Sequence, residues 1–286
     1  MAQKPLHAWK DHVHGTAWPT VALATVTLAV WLGAVFGHMG GLLPTWLAAA
    51  IAFVAAYVSF TPVHEATHGN VGGKERPRLD AVVGWAAALP LLAPFPAFKA
   101  LHLRHHAKTN DPEHDPDFWV AGSGWRVPAR CLSIIPHYYA TYLGPLARLS
   151  RTASRNRPLA IAYLVVQGLV LLGLALAGLG STVLFVLLLP SWLAVAVLAF
   201  FFDWLPHHPH SVQGRYVDTR AMPSKVLELL LLGQNLHLVH HLWPSVPFYR
   251  YGAVFEACKE ALAAKGADIG ARDSCPSAST SASWVR

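Results

Sequence analysis

Histidines at helical spacing are the residues of this sequence with the clearest chemical potential. His237, His240 and His241 lie at positions i, i+3 and i+4 of the apolar stretch LHLVHHLWP. On a helix this spacing places all three imidazoles on one face. Buried neutral imidazoles need partners, whereas protonated ones would repel one another. A bound metal removes the difficulty, because neutral imidazole is a common metal ligand. The stretch therefore predicts a metal site.

The same chemistry recurs at other places in the chain. HEATH carries two histidines at i and i+4, and HLRHH repeats the i, i+3, i+4 spacing. The histidines of these three motifs, the predicted ligands, are His64, His68, His102, His105, His106, His237, His240 and His241. A single zinc site takes three or four protein ligands, so this set fits two metals better. Imidazole suits iron, zinc and copper alike, and the ligand type alone leaves the metal open.

Composition indicates a membrane protein. The chain is 54% hydrophobic and 13% charged, whereas soluble domains are about 25% charged. Two stretches without charged residues are each long enough for two helices of about 20 residues. The predicted spans are residues 17–37, 43–63, 159–179 and 182–202. The expected fold class is therefore all-α, an integral membrane protein with four transmembrane helices.

Lysine and arginine predict the orientation. Of the 22 basic residues, none lies in the two short turns between paired spans. By the positive-inside rule, both termini and the long central segment are cytoplasmic. All the histidine clusters then share one side, where a cytoplasmic helical cap would hold the dimetal site. The net charge of +7 fits this topology and an attraction to anionic lipid, and no basic run indicates binding of nucleic acid.

The connecting segments carry weaker signals. Residues 81–98 are uncharged but interrupted by prolines, which predicts a re-entrant or interfacial helical hairpin. Residues 127–149 predict one interfacial amphipathic helix, and residues 225–241 predict another helix that carries the last histidines. One domain over residues 1–272 is sufficient, and the Ser-rich residues 273–286 predict a disordered tail.

The three histidine motifs, each following paired spans, resemble those of the membrane fatty-acid desaturase and hydroxylase superfamily. HLRHHAKTNDPEHDPDFW, DWLPHHPH and QNLHLVHHLWPSVPFYRY look most like the desaturase-like β-carotene hydroxylases. The resemblance implies an enzyme with a non-haem centre of two iron ions that uses O₂. It also implies an external electron donor such as ferredoxin, since the sequence shows no HPGG, GxGxxG or cysteine cluster.

The motifs and the resemblance leave three functions to consider. The preferred one is hydroxylation of a carotenoid β-ionone ring by a diiron monooxygenase. The first alternative is an acyl-lipid desaturase with the same metal centre, whose substrate is likewise hydrophobic and membrane-bound. The alternative of another class is a non-catalytic metal-binding membrane protein. The last is disfavoured because the four spans contain no ionisable residue, whereas ion paths normally do.

DWLPHHPH offers a further ligand among His207, His208 and His210. The superfamily usually draws one ligand from this region, often preceded at i−4 by Asn. Asp203 stands four residues before His207, so the resemblance favours His207. The candidates for orienting the ligands are Asp203, Glu65, Asp111, Asp115, Asp117 and Asn235. Polar neighbours of this kind accept the second N–H of a ligating imidazole, although NDPEHDPD is equally a turn sequence.

Overall fold

The computed structural model describes residues 5–13, 15–144 and 150–270. Within these ranges the chain is helical and contains no β-strand. The α-helices are α1 (Trp18–Met39), α2 (Thr45–His68), α3 (Pro77–Ala88), α4 (Phe95–Lys108), α5 (Arg126–Leu132), α6 (Ile134–Leu143), α7 (Arg151–Leu174), α8 (Leu189–Leu198), α9 (Lys225–Leu230), α10 (His237–Leu242) and α11 (Tyr251–Ala263). Wider π-helical turns at Ala175–Leu179, Thr182–Leu188 and Ala199–Trp204 extend α7 and α8. Short 3₁₀ turns occupy Pro5–His12, Pro116–Val120, Gln234–Leu236 and Phe248–Arg250.

Within the described part of the chain, four helices are long and apolar enough to cross a membrane, as the sequence predicts. They are Trp18–Met39, Thr45–His68, Arg151–Leu179 and Thr182–Trp204, the last of which we call the fourth span. The second helix continues past its predicted end at residue 63, so that it carries HEATH itself. The third begins at Arg151, because the Ser150 side chain caps its first turn through the backbone N–H of Ala153. The prediction of an all-α fold with four membrane helices is confirmed.

α2 is the central helix of the bundle. Its small residues Ala48, Ala52 and Ala56 are completely buried, and they let neighbouring helices approach closely. α2 packs against α1, α3 and the fourth span. α7 lies at the periphery, because only Ala153 and Ala160 are buried along it.

The segment between the second and third spans begins with the helical hairpin predicted from the prolines. α3 ends at Ala88, and α4 starts at Phe95 after a turn that contains Pro90 and Pro94. The two arms pack so closely that a Cβ on Gly84 would lie 2.3 Å from the Phe95 ring. α4 thereby returns HLRHH to the end of the bundle where α2 presents HEATH.

Two of the predicted helices are wrong because the chain breaks inside them. Residues 127–149 form α5 and α6, which are separated at Ser133, and residues 145–149 lie outside the described part of the chain. Pro136 fits this boundary, because it lies in the first turn of α6, where a missing backbone N–H removes no helical hydrogen bond. Residues 225–241 break after Leu230, where Gly233 adopts φ 80° and lies against the Phe248 carbonyl oxygen.

A cap packs over the histidine-bearing end of the bundle. Its core contains Leu238, Val239, Tyr251 and Val254 from α10 and α11, with Trp9 of the N-terminal turn packed against it. The break at Gly233 allows α10 to pack in the cap, because the break turns α10 out of line with α9 so that α10 is buried. The predicted tail at residues 273–286 lies outside the described residues.

Candidate metal centre

Nine histidines from four segments of the described chain converge in two groups at the capped end of the bundle. We call them the five-histidine cluster (His64, His68, His102, His106 and His240) and the four-histidine cluster (His105, His207, His237 and His241). In each cluster the potential ligand atoms all lie within 4.8 Å of one another. The clusters are neighbours, because the rings of His106 and His241 stack at 4.3 Å between centroids.

The five-histidine cluster is formed by α2, α4 and α10. Nε2 of His240 lies 3.0 Å from Nε2 of His64 and 2.8 Å from Nε2 of His106. Nε2 of His102 lies 2.9 Å from that of His68 and 3.1 Å from that of His106. The rings therefore point the same nitrogen toward a common centre.

The four-histidine cluster is formed by α4, α10 and the segment after the fourth span. Nε2 of His241 lies 3.1 Å from Nε2 of His237 and 3.3 Å from Nε2 of His105. The His207 ring completes the group at 4.9 Å from the His241 ring, between centroids. Nε2 of His207 is buried and has no hydrogen-bond partner among the described residues.

These nitrogens fit metal ions better than they fit hydrogen bonds. Each neutral imidazole carries one N–H, so several Nε2 atoms facing one centre cannot all be satisfied by one another. Imidazole nitrogens bind a metal ion at about 2.0–2.1 Å, so neighbouring ligands at right angles lie about 3 Å apart. The observed separations of 2.8–3.3 Å agree with this spacing, and the orphaned Nε2 of His207 would gain a partner.

Burial keeps most of these rings in the neutral form that binds metals. It lowers the pKa of His237 to about 3, with smaller contributions from neighbouring histidines. Burial also lowers the pKa values of His102, His240 and His241 well below the usual range for histidine, and mutual repulsion adds to the effect.

His105 differs because carboxylates lie behind it. Its Nδ1 is 2.9 Å from Asp115 and 3.3 Å from Asp117. Burial alone would lower the pKa of His105, but the two carboxylates outweigh it and raise the pKa to about 10. A cation at Nε2 would take the place of the proton there, since a bound metal is itself a large local charge. Asp115 is held rigidly, because it also accepts the backbone N–H groups of Asn110 and Asp117.

The carboxylate of the five-histidine cluster acts through an intermediate residue. Nδ1 of His240 lies 2.9 Å from the Tyr251 hydroxyl, which also bonds the completely buried Glu65. Glu65 itself stays 3.9 Å from Nδ1 of His64. In the series His240, Tyr251, Glu65 the imidazole can donate to the phenol and the phenol to the carboxylate, while Oε1 of Glu65 has no hydrogen-bond partner among the described residues.

The structure distinguishes the three histidines of DWLPHHPH, which are His207, His208 and His210. His207 joins the four-histidine cluster, and its Nδ1 donates to the Asp218 carbonyl at 3.0 Å. His210 instead donates from Nε2 to the Asp203 carbonyl, and neither it nor His208 belongs to a cluster. His207 is thus the candidate that lies with the other histidines, but the Asp203 side chain does not orient it. The Asp203 side chain accepts from Tyr138 rather than from His207.

Two other predicted orienting residues lie elsewhere. Asp111 accepts the backbone N–H groups of Glu113 and His114, which is its role as a turn residue. Asn235 donates to the Met222 carbonyl, and its buried side-chain oxygen has no partner among the described residues. Both lie close in sequence to a histidine motif, but sequence proximity does not determine where a side chain points.

Three orienting groups were missed from the sequence. They are the Tyr251 hydroxyl, the Asp218 carbonyl and the Tyr138 hydroxyl. Tyr138 donates toward Asp117 at 2.8 Å and toward Asp203 at 3.0 Å, so it joins two carboxyl groups near His105. Its position among Ile and Leu indicated an interfacial aromatic residue, and no local signal showed that its hydroxyl faces carboxylates.

An apolar cavity of about 330 Å³ ends at this centre. Its walls come from α4, α6, α7, the fourth span and residues 91–94 of the turn between α3 and α4, with Phe60 of α2. His102, His105 and His237 form its end, together with Asp117 and Asp203. A hydrophobic molecule in the cavity would therefore lie beside both clusters.

The fatty acid desaturase family model matches residues 42–272. The chain therefore belongs to this family of membrane desaturases and related hydroxylases.

Curated relatives resemble the chain at lower identity. It is 30% identical over 227 residues to a dihydrorhizobitoxine desaturase of Bradyrhizobium elkanii, covering 70% of this chain and 64% of that protein. It is 24% identical over 266 residues to a zeaxanthin 4-ketolase of Chlamydomonas reinhardtii, covering 86% and 55%. It is 21% identical over 288 residues to an sn-1 oleoyl-lipid 12-desaturase of Picosynechococcus, covering 90% and 78%. The chain thus spans less than two thirds of the length of the first two relatives.

Proposed function

We propose that this protein is an O₂-dependent diiron hydroxylase that acts on the β-ionone ring of a carotenoid. The observation that carries the proposal is the pair of histidine clusters, with five and four convergent imidazoles, at the end of an apolar cavity. Membership of the desaturase family and the relatives named as desaturases and ketolases support an oxidoreductase with a hydrophobic substrate.

The nine clustered histidines would hold two iron ions, with imidazole nitrogens as the only protein ligands among the described residues. When bound, the diiron centre supplies the reduction of O₂ and the removal of hydrogen from an unactivated C–H bond. In the overall reaction RH, O₂, two electrons and two protons give ROH and H₂O. Asp115 orients His105 and Tyr251 orients His240, and both fix which ring nitrogen faces the metal.

The cavity would position the substrate and exclude water. Phe60, Phe98, Leu101 and Phe202 line it near the histidines. Aromatic and aliphatic walls of this kind bind a hydrocarbon and leave the reacting carbon beside the metals. Positioning of this sort is the main contribution that a protein makes when a cofactor performs the chemistry.

The electrons would come from an external carrier such as a ferredoxin. The metal-bearing end would face the cytoplasm, as the basic residues predict, where such carriers are found. Arg151, Arg155 and Arg157 begin the third span at this end of the bundle and would attract an acidic carrier or anionic lipid.

A second candidate function is desaturation of an acyl lipid. It is favoured by the relative named as an sn-1 oleoyl-lipid 12-desaturase, whose match covers 90% of this chain. Both reactions begin by breaking a C–H bond, and they differ in whether the carbon gains oxygen or loses a second hydrogen. The ketolase relative makes a ring ketone a further outcome of the first candidate.

Expression in a β-carotene-producing host, with pigments and fatty acids measured in the same cells, tests the proposal. We expect hydroxylated carotenoid in cells with the wild-type protein and none in cells with His105→Ala. Unchanged pigment with new double bonds in the lipids would favour the second candidate. Ring ketones would retain the carotenoid substrate but overturn hydroxylation as the reaction.

A further inference from the structure

The cavity is long and lies along the fourth span. Asp203 lines the end of the cavity beside the histidine clusters, which we call the metal end. Leu188 lines the opposite end of the cavity, and both residues belong to the fourth span. At about 1.5 Å per residue these two positions are roughly 20 Å apart, which is most of the way across a bilayer. Leu164 and Leu171 of α7 form the opposite wall. The cavity therefore follows the direction of the membrane helices.

The metal end of the cavity is closed. His105 and His237 form part of this end and are only 2% and 3% exposed. The core of the cap includes residues of α10, so this end of the cavity is backed by packed protein. A molecule in the cavity would thus present its tip to the metals. A long substrate that is oxidised at its middle would have to fold back, so that two lengths of hydrocarbon lay side by side in the cavity.

The other end of the cavity opens on the lateral surface of the bundle. Trp192 and Leu188 line the cavity and yet are 42% and 40% exposed. Across from them α7 is held by buried Ala153 and Ala160 nearer its start, and Gly168 faces the cavity. A Cβ added at Gly168 would meet no atom within 4 Å, so the glycine leaves a gap in this wall.

The walls carry no group suited to an anionic head group. Among the described residues that line the cavity, none is lysine or arginine. The polar groups of the outer half are already bonded to backbone carbonyls: Gln167 donates to Leu92, and Ser191 donates to Pro90. A phosphate or thioester carrier would find no counter-charge here, whereas a hydrocarbon would find a continuous apolar surface.

We propose that the substrate enters end-on from the bilayer, through the opening between α7 and the fourth span beside Gly168, and is oxidised in a terminal group. This inference rests on the proposed function and narrows its substrate to an uncharged, rod-shaped lipid. Gly168 determines specificity, because its missing side chain leaves room for the body of the substrate while the end group reaches the histidines.

Gly168→Phe tests this entrance, and Gly173→Phe is the matched control. Both glycines lie in α7 and both have open space around an added Cβ, but Gly173 does not line the cavity. In the β-carotene-producing host we expect Gly168→Phe to lower oxidised carotenoid about tenfold or more. Gly173→Phe should match the wild type, and both variants should keep the wild-type iron content. Equal activity of the two variants would overturn the proposal.

A binding measurement separates this inference from the proposed function. Purified full-length protein is mixed with β-carotene in phosphatidylcholine vesicles, extracted in detergent and assayed for pigment retained per chain. We expect retention by the wild type and Gly173→Phe and loss by Gly168→Phe, whether or not the protein turns over. Lack of retention by the wild type would overturn the entrance. Retention without any oxidised product in cells would overturn the proposed function and leave the entrance standing.

The position of oxidation is the third readout. Mass spectrometry of the wild-type product should place the new oxygen in the terminal ring. Oxidation within the polyene, or at the middle of an acyl chain, would overturn end-on delivery even in an active enzyme.

Discussion

The two histidine clusters differ in how closely carboxylates approach their rings. In the four-histidine cluster, Asp115 and Asp117 contact His105 directly at 2.9 and 3.3 Å. In the five-histidine cluster, Glu65 reaches His240 only through the Tyr251 hydroxyl. A carboxylate on the second ring nitrogen raises the basicity of an imidazole ligand. Two sites with similar ligands would therefore hold two electronically different metal ions.

The two clusters also differ in how many of their histidines line the apolar cavity. The cavity touches His105 and His237 of the four-histidine cluster but only His102 of the other. The cluster whose His105 contacts carboxylates directly is thus also the cluster that borders more of the apolar cavity. In the proposed enzyme, one ion would therefore face the substrate and the other would lie mainly against protein.

Removal of a ligand from either cluster should have the largest effect. We expect His105→Ala and His240→Ala each to lower product formation by roughly 100-fold or more, since each takes one imidazole from a metal. The wild type should contain two iron ions per chain, and the variants fewer, by elemental analysis of membranes from iron-replete cells. His114→Ala is the control, because His114 lies outside both clusters. Equal losses at all three positions, or a wild type with zinc and no iron, would contradict the assignment.

Substitutions in DWLPHHPH test whether His207 belongs to the four-histidine cluster. His207→Ala should lose iron and activity like a ligand variant, because its Nε2 faces the cluster. His208→Ala and His210→Ala should keep two iron ions, since neither ring belongs to a cluster. Iron analysis of the three variants decides the point. Iron loss confined to His208→Ala or His210→Ala would remove His207 from the cluster.

The orienting residues should have smaller and unequal effects. Asp115→Asn weakens the acceptor behind His105 and should cost roughly 10-fold to 100-fold in iron affinity or activity. Tyr251→Phe removes one phenol behind His240 and should cost less, because the rest of the ring's packing is unchanged. Mössbauer spectroscopy of the iron-loaded protein should show two inequivalent ions in the wild type and a shift of one of them in Asp115→Asn. Equivalent ions would contradict the difference between the clusters.

The smallest effect is expected at Asp111. Its carboxylate caps a turn through Glu113 and His114 and does not contact either cluster. Asp111→Asn should leave iron content and product formation unchanged, and should lower thermal stability slightly if at all. A thermal-shift assay with iron analysis measures both. Loss of iron would show that the turn, and not only Asp115, holds His105 in place.

The parts of this site that local sequence patterns determine could be predicted. The i, i+3, i+4 spacing identified the imidazoles of α4 and α10, and the uncharged stretches identified the four spans. The choice between Asp111 and Asp115 could not be made, because both lie in NDPEHDPD and only the path of the turn decides which one faces His105. The division of the nine histidines between clusters depends on tertiary packing, since adjacent His105 and His106 belong to different clusters.

The missed features share a physical cause. Tyr251 and Tyr138 act through hydroxyl groups that meet partners 11 or more residues away, and no periodic pattern records such contacts. The break before α10 depends on Gly233 lying against the Phe248 carbonyl, which is set by the cap. By contrast, the break between α3 and α4 could be predicted, because proline restricts the backbone locally.

The five-histidine cluster joins parts of the chain that are synthesised far apart in time. His64 and His240 are 176 residues apart, and their ring nitrogens lie 3.0 Å from each other. A ribosome releases the first of these residues long before the second, so neither cluster can be completed until the last membrane helix is inserted and the cap has folded. Metal binding to such sites is coupled to folding. In the proposed diiron enzyme, iron would therefore bind last and would link α10 of the cap to α2 and α4 of the bundle.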